Sequence, residues 1–432
     1  MKQALFIVTA SMVVFLTTGQ MAHSAVSESA PSVDLTMKAE SPAAAEFRAG
    51  MQKLVNGDIK GAEGSFRKAN QLAPKSPEPL VALADIEVRK GNPAAAESLL
   101  QQALQLAPNN VAVHVALGRF YRNRGDLNRA KAEFEAAKRL SPASTPAQME
   151  LADVYLRMGD PSRAVLEYER VLKVRPNDAG AQFGLGVALA GAKRADEAAA
   201  AFEKAARLAP KDPEPPRMLS RVEAERKRYP EALKALDRAI KIAPKSTALQ
   251  MDRASVLLAS GDSKGAIAAA QAVVKANSGD AGAHGRLGNL LVATGDNPGA
   301  RQAYARSLEL SQTDAQILNN AAWLEVEAKG DLAKALGWAR RATELQPKEA
   351  GYFDTLAWVE RARGDLPKAE AALNQALALA PKSAVLHYRL GIVQSEQGVA
   401  AKATESFQKA LAIGLPAQYA NDAKQRLAAP KK

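Results

Sequence analysis

The sequence contains no cysteine and few aromatic residues, which make up 5% of its 432 residues. Without cysteine the chain has no disulfide, no thiolate zinc site and no cysteine nucleophile. Apolar residues nonetheless make up 47% of the chain, and alanine is the most frequent of them. Alanine favours helices and lets two backbones approach closely. The composition therefore predicts thin layers of closely packed helices rather than one thick core.

The first 25 residues have the features of a secretory signal peptide. Met1-Lys2-Gln3 supplies a positive charge, the apolar run Ala4–Leu16 has 13 residues, and small and polar residues follow. A membrane-spanning helix needs about 20 apolar residues, so a cleaved signal peptide is favoured over a retained anchor, and cleavage after Ser24 or Ala25 fits equally well. Residues 26–42, rich in Ser, Ala and Pro, are expected to form a flexible linker. We therefore expect export to the periplasm, with no membrane span after signal cleavage.

From residue 43 onwards the sequence repeats with a period of 34 residues. Three series of residues share this period: a proline between units, a glycine within each unit and an alanine five residues after the glycine. The prolines are Pro74, Pro108, Pro142, Pro176, Pro210, Pro244, Pro347 and Pro381, with a shift of one residue before the last two. The glycines are Gly57, Gly91, Gly125, Gly159, Gly261, Gly295, Gly330, Gly364 and Gly398, with Lys193 and Lys227 at the two intervening positions. The alanines are Ala62, Ala96, Ala130, Ala164, Ala198, Ala232, Ala266, Ala300, Ala335, Ala369 and Ala403. Three series with one period predict an array of structural repeats.

Repeat 3 carries every element of the pattern: Leu117-Gly118, Tyr121, Gly125, Ala130, Phe134, Ala137 and Pro142. This pattern resembles the tetratricopeptide repeat, a helix-turn-helix unit. The resemblance implies an all-α, right-handed superhelical solenoid of about eleven repeats. It assigns residues 43–280 to repeats 1–7, residues 281–416 to repeats 8–11, and residues 417–432 to a capping helix with a basic tail.

Each repeated position has a physical reason. The glycine supplies the positive φ that ends the first helix of a repeat, and the aspartate that usually follows caps the second helix. A large residue in the second helix fills the gap to the next unit, because one helix pair cannot bury its own face. These large residues are Phe66, Leu100, Phe134, Tyr168, Phe202, Leu236, Tyr304, Leu373 and Phe407. Repeat 7 lacks this residue, and repeats 7 and 8 lack the final proline, so we expect a softer joint, open to proteolysis, between Val274 and Thr313.

The sequence offers no constellation for catalysis or metal binding. His114, His284 and His387 share the fourth position of their repeats, which lie five and three units apart, so one metal ion is unable to collect them. We expect them to pack between helices instead. Ser65 and Ser406 each precede a lysine by three residues, but the companion motifs of serine–lysine enzymes are missing. We therefore expect no enzymatic activity, no metal and no cofactor.

The functional residues are therefore expected on a surface of the helical array. In tetratricopeptide proteins the first helix of each repeat lines a concave groove, and the resemblance transfers its ligand-facing positions to this chain. Asn289 and Asn320 match the asparagine pair of the carboxylate clamp, which binds peptide C-termini. The cations of that clamp do not follow, since Gly285, Gly351 and Thr355 occupy the flanking positions. The two amides are still suited to hydrogen-bond an extended peptide backbone.

Two of the three tryptophans, Trp323 and Trp358, occupy the ninth position of repeats 9 and 10. Polar or amphipathic residues lie at neighbouring groove positions: Asn319, Asn320, Asp354, Tyr388 and Arg389. An aromatic surface flanked by polar groups is typical of a binding hot spot. Packing between neighbouring helices would instead give the pair a purely structural role. Both alternatives stay open at the level of sequence.

The formal net charge is +12, and its basic excess lies in residues 77–246 and 384–432. The candidates for a basic surface are Arg119, Arg122, Arg157, Arg217 and Arg221. Mixed signs along each helix favour a solvated face. Attraction of an anionic polysaccharide is the alternative, whereas nucleic acid is not expected as a partner of an exported protein.

The segment from Ile317 to Gly391 is similar to the C-terminal repeats of envelope tetratricopeptide proteins linked to exopolysaccharide export and to exosortase (PEP-CTERM) sorting. The resemblance implies a non-catalytic periplasmic scaffold in a Gram-negative-type envelope. Its groove would bind a peptide or a helix of other envelope proteins, with a role in the export of surface polysaccharide or protein. The alternative is direct binding of an anionic polysaccharide along the basic repeats.

Overall fold

The computed structural model describes residues 41–428, which form 23 α-helices and no strand. The helices are α1 Pro42–Val55, α2 Ile59–Leu72, α3 Glu78–Arg89, α4 Pro93–Leu106, α5 Val111–Asn123, α6 Leu127–Leu140, α7 Thr145–Arg157, α8 Pro161–Val174, α9 Ala179–Gly191, α10 Ala195–Leu208, α11 Glu214–Glu225, α12 Tyr229–Ile242, α13 Thr247–Ala259, α14 Ser263–Ala276, α15 Ala281–Thr294, α16 Asn297–Leu310, α17 Ala315–Glu327, α18 Leu332–Leu345, α19 Ala350–Ala362, α20 Leu366–Leu379, α21 Ala384–Glu396, α22 Ala400–Ile413 and α23 Ala417–Ala428. The expected signal peptide, the linker up to residue 40 and the tail residues 429–432 lie outside the described residues. Between residues 41 and 428, no helix is both long enough and apolar enough to cross a bilayer.

Helices α1–α22 form eleven helix-turn-helix pairs, as the 34-residue period predicts, and α23 follows the last pair. Odd-numbered helices α1–α21 are the first helices of the repeats, even-numbered helices α2–α22 are the second, and each pair packs together. The all-α repeat fold predicted from the sequence is confirmed. The described residues divide into two compact units: an N-terminal unit that ends at Pro244 and a C-terminal unit that begins at Lys245. The softer joint expected between Val274 and Thr313 stays a prediction.

Turn geometry explains where the first helix of most repeats ends. Eight glycines of the repeated series have φ between +76° and +94°, and Lys193 and Lys227 adopt the same left-handed conformation at φ 61° and 59°. The following aspartates accept hydrogen bonds from backbone N–H groups in the first turn of the second helix, for example Asp58 Oδ1 from Gly61 N at 2.8 Å. Both roles follow the sequence prediction.

Gly330 is the exception, and the prediction that it supplies the positive φ of repeat 9 is wrong. Lys329 holds the left-handed conformation, with φ 49°, because the inserted residue lengthens this turn by one position. Gly330 instead lies against the carboxylate of Glu325, where an added Cβ would collide with it and with Arg301. The Glu325 carboxylate accepts two hydrogen bonds from Arg301, at 2.9 and 2.7 Å. An alanine here would have to displace the ends of the Glu325 and Arg301 side chains, so close approach rather than φ favours glycine.

The core consists of small residues packed against large ones. All nine large residues predicted to fill the gaps between repeats are buried. Glycines at the eighth position of the repeat make room for five of the six aromatic members of this set, as at Gly118, where an ideal Cβ would lie 2.6 Å from Phe134 Cε1; Tyr168 instead faces Gly184 of the next repeat. Alanines of the repeated series, such as Ala62 and Ala130, have no exposed surface. The scarcity of aromatic residues thus reflects one aromatic or leucine per interface.

Candidate partner-binding site

The two tryptophans predicted to lie together do so in the C-terminal unit. Trp323 on α17 and Trp358 on α19 have ring centroids 6.4 Å apart and ring planes only 16° from parallel. Equivalent positions on the first helices of successive repeats bring them together, although the one-residue insertion separates them by 35 residues rather than 34. Trp323 is 8% exposed, and Trp358 is half-buried against the cluster that contains Ile392. The pair is therefore preorganised, with one partly exposed member.

Arg389 on α21 covers both indole rings. Its guanidinium carbon lies 4.9 Å from the centroid of Trp323 and 5.0 Å from that of Trp358. Its Nη1 donates to Asp354 Oδ2 on α19 at 2.5 Å. A cation over an aromatic face is stabilised by the ring quadrupole, more strongly where water is excluded. Four predicted groove residues thus form one site, which we call the tryptophan site: Trp323, Trp358, Asp354 and Arg389.

Arg361 extends the tryptophan site and was not selected by the sequence analysis. Its guanidinium carbon lies 4.4 Å from the Trp358 centroid, and its Nε donates to Glu396 Oε2 on α21 at 2.8 Å. The available signal was its place one helical turn after Trp358, because residues three apart share a helix face. Two guanidinium groups therefore contact the same indole.

The three asparagines form an adjoining amide cluster. Tyr304 Oη donates to Asn289 Oδ1 at 2.6 Å, and Asn320 Nδ2 donates to the same oxygen at 3.3 Å. Asn319 Nδ2 reaches Asn320 Oδ1 at 3.5 Å. Burial raises the pKa of Tyr304 well above its usual value, so the phenol stays a donor. The amide groups that match the carboxylate clamp are therefore engaged with one another and with Tyr304.

Tyr388 was also predicted to line the groove, and it lies beneath the capping helix α23. Its hydroxyl donates to Asp422 Oδ2 at 2.8 Å, and its ring centroid is 5.2 Å from that of Tyr419. Burial, followed by the hydrogen bond to Asp422, raises the pKa of Tyr388 to about 12. Tyr388 therefore contributes to holding α23, and the exposed part of the site lies at Trp358, Arg389 and Arg361.

The predicted basic residues of repeats 3 and 4 form a charge-paired network. Arg119 Nε donates to Glu150 Oε1 at 2.5 Å, and Arg122 also bonds to Glu150. Arg157 Nε donates to Asp153 Oδ2 at 2.9 Å. The signal for this pairing was present, since opposite charges occupy groove positions of adjacent repeats. Much of the positive charge in this part of the N-terminal unit is therefore neutralised locally.

The remaining two basic candidates lie on α11. Arg217 forms an ion pair with Glu214 at 3.3 Å, and Arg221 Nη1 contacts the Met218 sulfur at 3.8 Å. Both are partly buried. The contacts just described for Arg217 and Arg221 are with residues of α11 itself and not with the network of Arg119, Arg122 and Arg157.

The histidines at the fourth position share one contact. The Nε2 atoms of His114, His284 and His387 lie 2.9, 3.2 and 3.0 Å from the carbonyl oxygen six residues earlier. Each ring thus ties the start of its helix to the preceding loop. The hydrogen bond to Glu133 raises the pKa of His114, and burial opposes it. Across residues 41–428, no group of three potential metal ligands comes together.

Three family models match parts of this chain, and two of them are models of the tetratricopeptide repeat. The model of the cilia and flagella-associated protein 70 C-terminal domain matches residues 107–324, about half of the chain. Two tetratricopeptide repeat models match residues 77–120 and 355–423. No curated protein matches the chain.

Among solved structures, yeast Tom70 is 14% identical, with 89% of this chain and 96% of that chain covered and a TM-score of 0.47. A tetratricopeptide repeat protein from Parabacteroides merdae is 20% identical, over 57% of this chain and 97% of that chain, with a TM-score of 0.47. YrrB, described as a repeat protein with an unusual peptide-binding site, is 24% identical over 41% of this chain and 92% of its own, with a TM-score of 0.36. Function must therefore be inferred from the residues of the site.

Proposed function

The chain belongs to the tetratricopeptide repeat family, and from that premise we propose that it is a non-catalytic scaffold that binds other proteins. Its partner-binding surface is the tryptophan site of repeats 9–11. The occupant is an extended peptide or a helix of another envelope protein. The chain acts in the periplasm, in the export of surface polysaccharide or protein.

One observation carries the binding surface: the near-parallel stacking of Trp323 and Trp358 under a shared guanidinium. Binding energy at protein interfaces concentrates in preorganised tryptophan and arginine side chains, and the surrounding contacts mainly exclude water. Two indoles fixed by Arg389 lose little side-chain entropy when a partner docks. Arg389 and Arg361 add hydrogen-bond donors at the edge of the stack, and tryptophan with arginine is the composition of an interface hot spot.

The test is capture of partners from a bacterial envelope extract with the mature chain as bait. Replacing Trp323 and Trp358 by alanine should remove at least one captured protein while leaving the helical circular dichroism signal unchanged. The matched control is Trp338→Ala, because Trp338 is the third tryptophan, half-buried on the second helix of repeat 9. Equal loss of partners in the control, or loss of helix in the double variant, would contradict the proposal.

Two features of the sequence support periplasmic location and an export role. The charged start followed by the apolar run Ala4–Leu16 supports signal-dependent export. The similarity of Ile317–Gly391 to envelope repeat proteins supports the link to surface polymer or protein export. Fractionation of cells that express the full chain tests the location. Recovery in the cytoplasm, with the N-terminal segment intact, would contradict it.

Direct binding of an anionic polysaccharide is the second candidate, and its support is the net charge of +12. The pairing of Arg119, Arg122 and Arg157 with Glu150 and Asp153 reduces the field available to a polyanion. Salt distinguishes the candidates, since binding through dispersed cations falls steeply with ionic strength whereas binding to buried indoles persists. Retention of an acidic polysaccharide without any protein partner would favour this second candidate.

A further inference from the structure

The tryptophan site already holds one type of chemical group, a guanidinium. Arg389 places its guanidinium carbon at nearly equal distances, 4.9 and 5.0 Å, from the two indole centroids. A carboxylate, Asp354, neutralises it from a neighbouring helix. Two aromatic faces and one carboxylate are the elements that recognise a planar organic cation.

Arg389 does not use all the acceptors that this site offers. It bonds to Asp354 Oδ2, while Asp354 Oδ1 is buried without a hydrogen-bond partner among residues 41–428. An unsatisfied buried acceptor is costly, so a ligand that donates to Asp354 Oδ1 would be stabilised.

We propose that Trp323, Trp358 and Asp354 form a guanidinium-binding site that Arg389 occupies internally and that an arginine side chain of a partner protein takes in its place. This inference deepens the proposed function and rests on it, because it names the side chain that the partner contributes. Arg389 is tethered to α21 and makes one hydrogen bond to Asp354. An incoming arginine approaches without that tether and can engage both carboxylate oxygens.

The same geometry selects arginine over lysine. A guanidinium is planar, stacks on indole rings and presents parallel N–H donors to a carboxylate. An ammonium is a compact, strongly hydrated charge that matches neither feature as well. The side chain of Arg389 is 13% exposed. An arginine of a partner protein can therefore reach the site when Arg389 rotates towards solvent.

The test uses N-acetylarginine methylamide as the probe and the mature chain labelled with ¹⁵N at tryptophan. The chain has three tryptophans, so the spectrum contains three indole signals, and Trp338 serves as an internal reference. Arg389→Met removes the internal guanidinium and keeps an apolar stem. We expect its Kd for the probe to fall at least tenfold relative to the unchanged chain, because no internal competitor has to be displaced.

The signals of Trp323 and Trp358 should shift on titration, and that of Trp338 should not. Adding Asp354→Asn to Arg389→Met should reverse the gain, and the lysine analogue of the probe should bind several-fold more weakly. The matched control is Arg341→Met, because Arg341 lies exposed on the second helix of repeat 9 and pairs with Glu344 on that helix; it should leave the affinity unchanged. Arg389→Gln provides a second way to remove the internal cation if Arg389→Met loses its helical signal.

Equal affinity in Arg389→Met and Arg341→Met, or equal shifts of all three indoles, would overturn the inference. The capture experiment separates this failure from failure of the scaffold proposal. Partner capture that depends on Trp323 and Trp358, together with no probe binding in Arg389→Met, would refute the guanidinium site alone. Capture that is indifferent to the two tryptophans would refute the scaffold proposal itself.

Discussion

Substitution of Gly118 by alanine tests the glycine–aromatic packing that recurs in most repeats with an aromatic filler. An ideal Cβ at Gly118 would lie 2.6, 2.7 and 2.8 Å from three ring carbons of Phe134. Phe134 has no exposed surface, so its ring cannot move away without disturbing the next repeat. Overpacking of a core costs about 1–3 kcal/mol, and the higher helix propensity of alanine offsets up to about 1 kcal/mol of that. We therefore expect Gly118→Ala to lower the free energy of unfolding by about 1–2 kcal/mol.

Amide hydrogen exchange of α5 and α6 is the suitable assay, because repeat arrays open locally rather than in one step. The matched control is Gly64→Ala, since Gly64 is exposed on helix α2 and an added Cβ meets nothing within 4 Å. Gly64→Ala should raise the free energy of unfolding of repeat 1 by about 0.5–1 kcal/mol. Phe134→Leu should relieve part of the damage in Gly118→Ala. If Gly118→Ala stabilises repeat 3 as Gly64→Ala stabilises repeat 1, the packing account is wrong.

Three further predictions concern stability. Because the contact with Glu133 raises the folded-state pKa of His114 above 6.5, its stabilising contribution is complete below about pH 6.5 and is lost as pH rises through the folded value. Urea melts should therefore show that His114→Gln destabilises the chain more at pH 5 than at pH 8.5; an equal effect at both would contradict the assignment. Gly330→Ala should lower the free energy of unfolding by about 1 kcal/mol, because it displaces the Glu325 carboxylate from its hydrogen bonds, and an unchanged melt would remove the close-approach explanation. Lys193→Gly should raise the free energy of unfolding by up to about 1 kcal/mol, because relief of the left-handed backbone, about 1–2 kcal/mol, is partly offset by the larger unfolded-state entropy of glycine; a lower melting temperature would contradict this.

Much of the fold was predictable because its determinants are local and periodic. The 34-residue series fixes both helices of each repeat and places the capping aspartates and the filling residues. The proximity of Trp323 and Trp358 follows from the same logic, since equal positions on successive first helices are neighbours. The prediction for Gly330 was wrong because the inserted residue can be placed on either side of the turn. Only the backbone angles show that Lys329, and not Gly330, has the positive φ.

The details of the site were less predictable because they depend on contacts across helices. The sequence pattern predicts that Arg389 and Tyr388 both line the groove, because they occupy adjacent groove positions of repeat 11. In the structure Arg389 turns towards the indoles, while Tyr388 turns towards α23 and bonds to Asp422. One helical position separates these outcomes, and the docking of the last helix decides between them.

Site-specific photo-crosslinking in living cells tests the central claim most directly. A benzophenone amino acid replaces exposed Glu327, one helical turn beyond Trp323, in one strain, and exposed Lys334 on the second helix of the same repeat in another. We predict that illumination joins the Glu327 position, but not the Lys334 position, to another envelope protein, and that Trp323→Ala with Trp358→Ala abolishes the adduct. Equal crosslinking at both positions, or an adduct that survives loss of both tryptophans, would contradict the account.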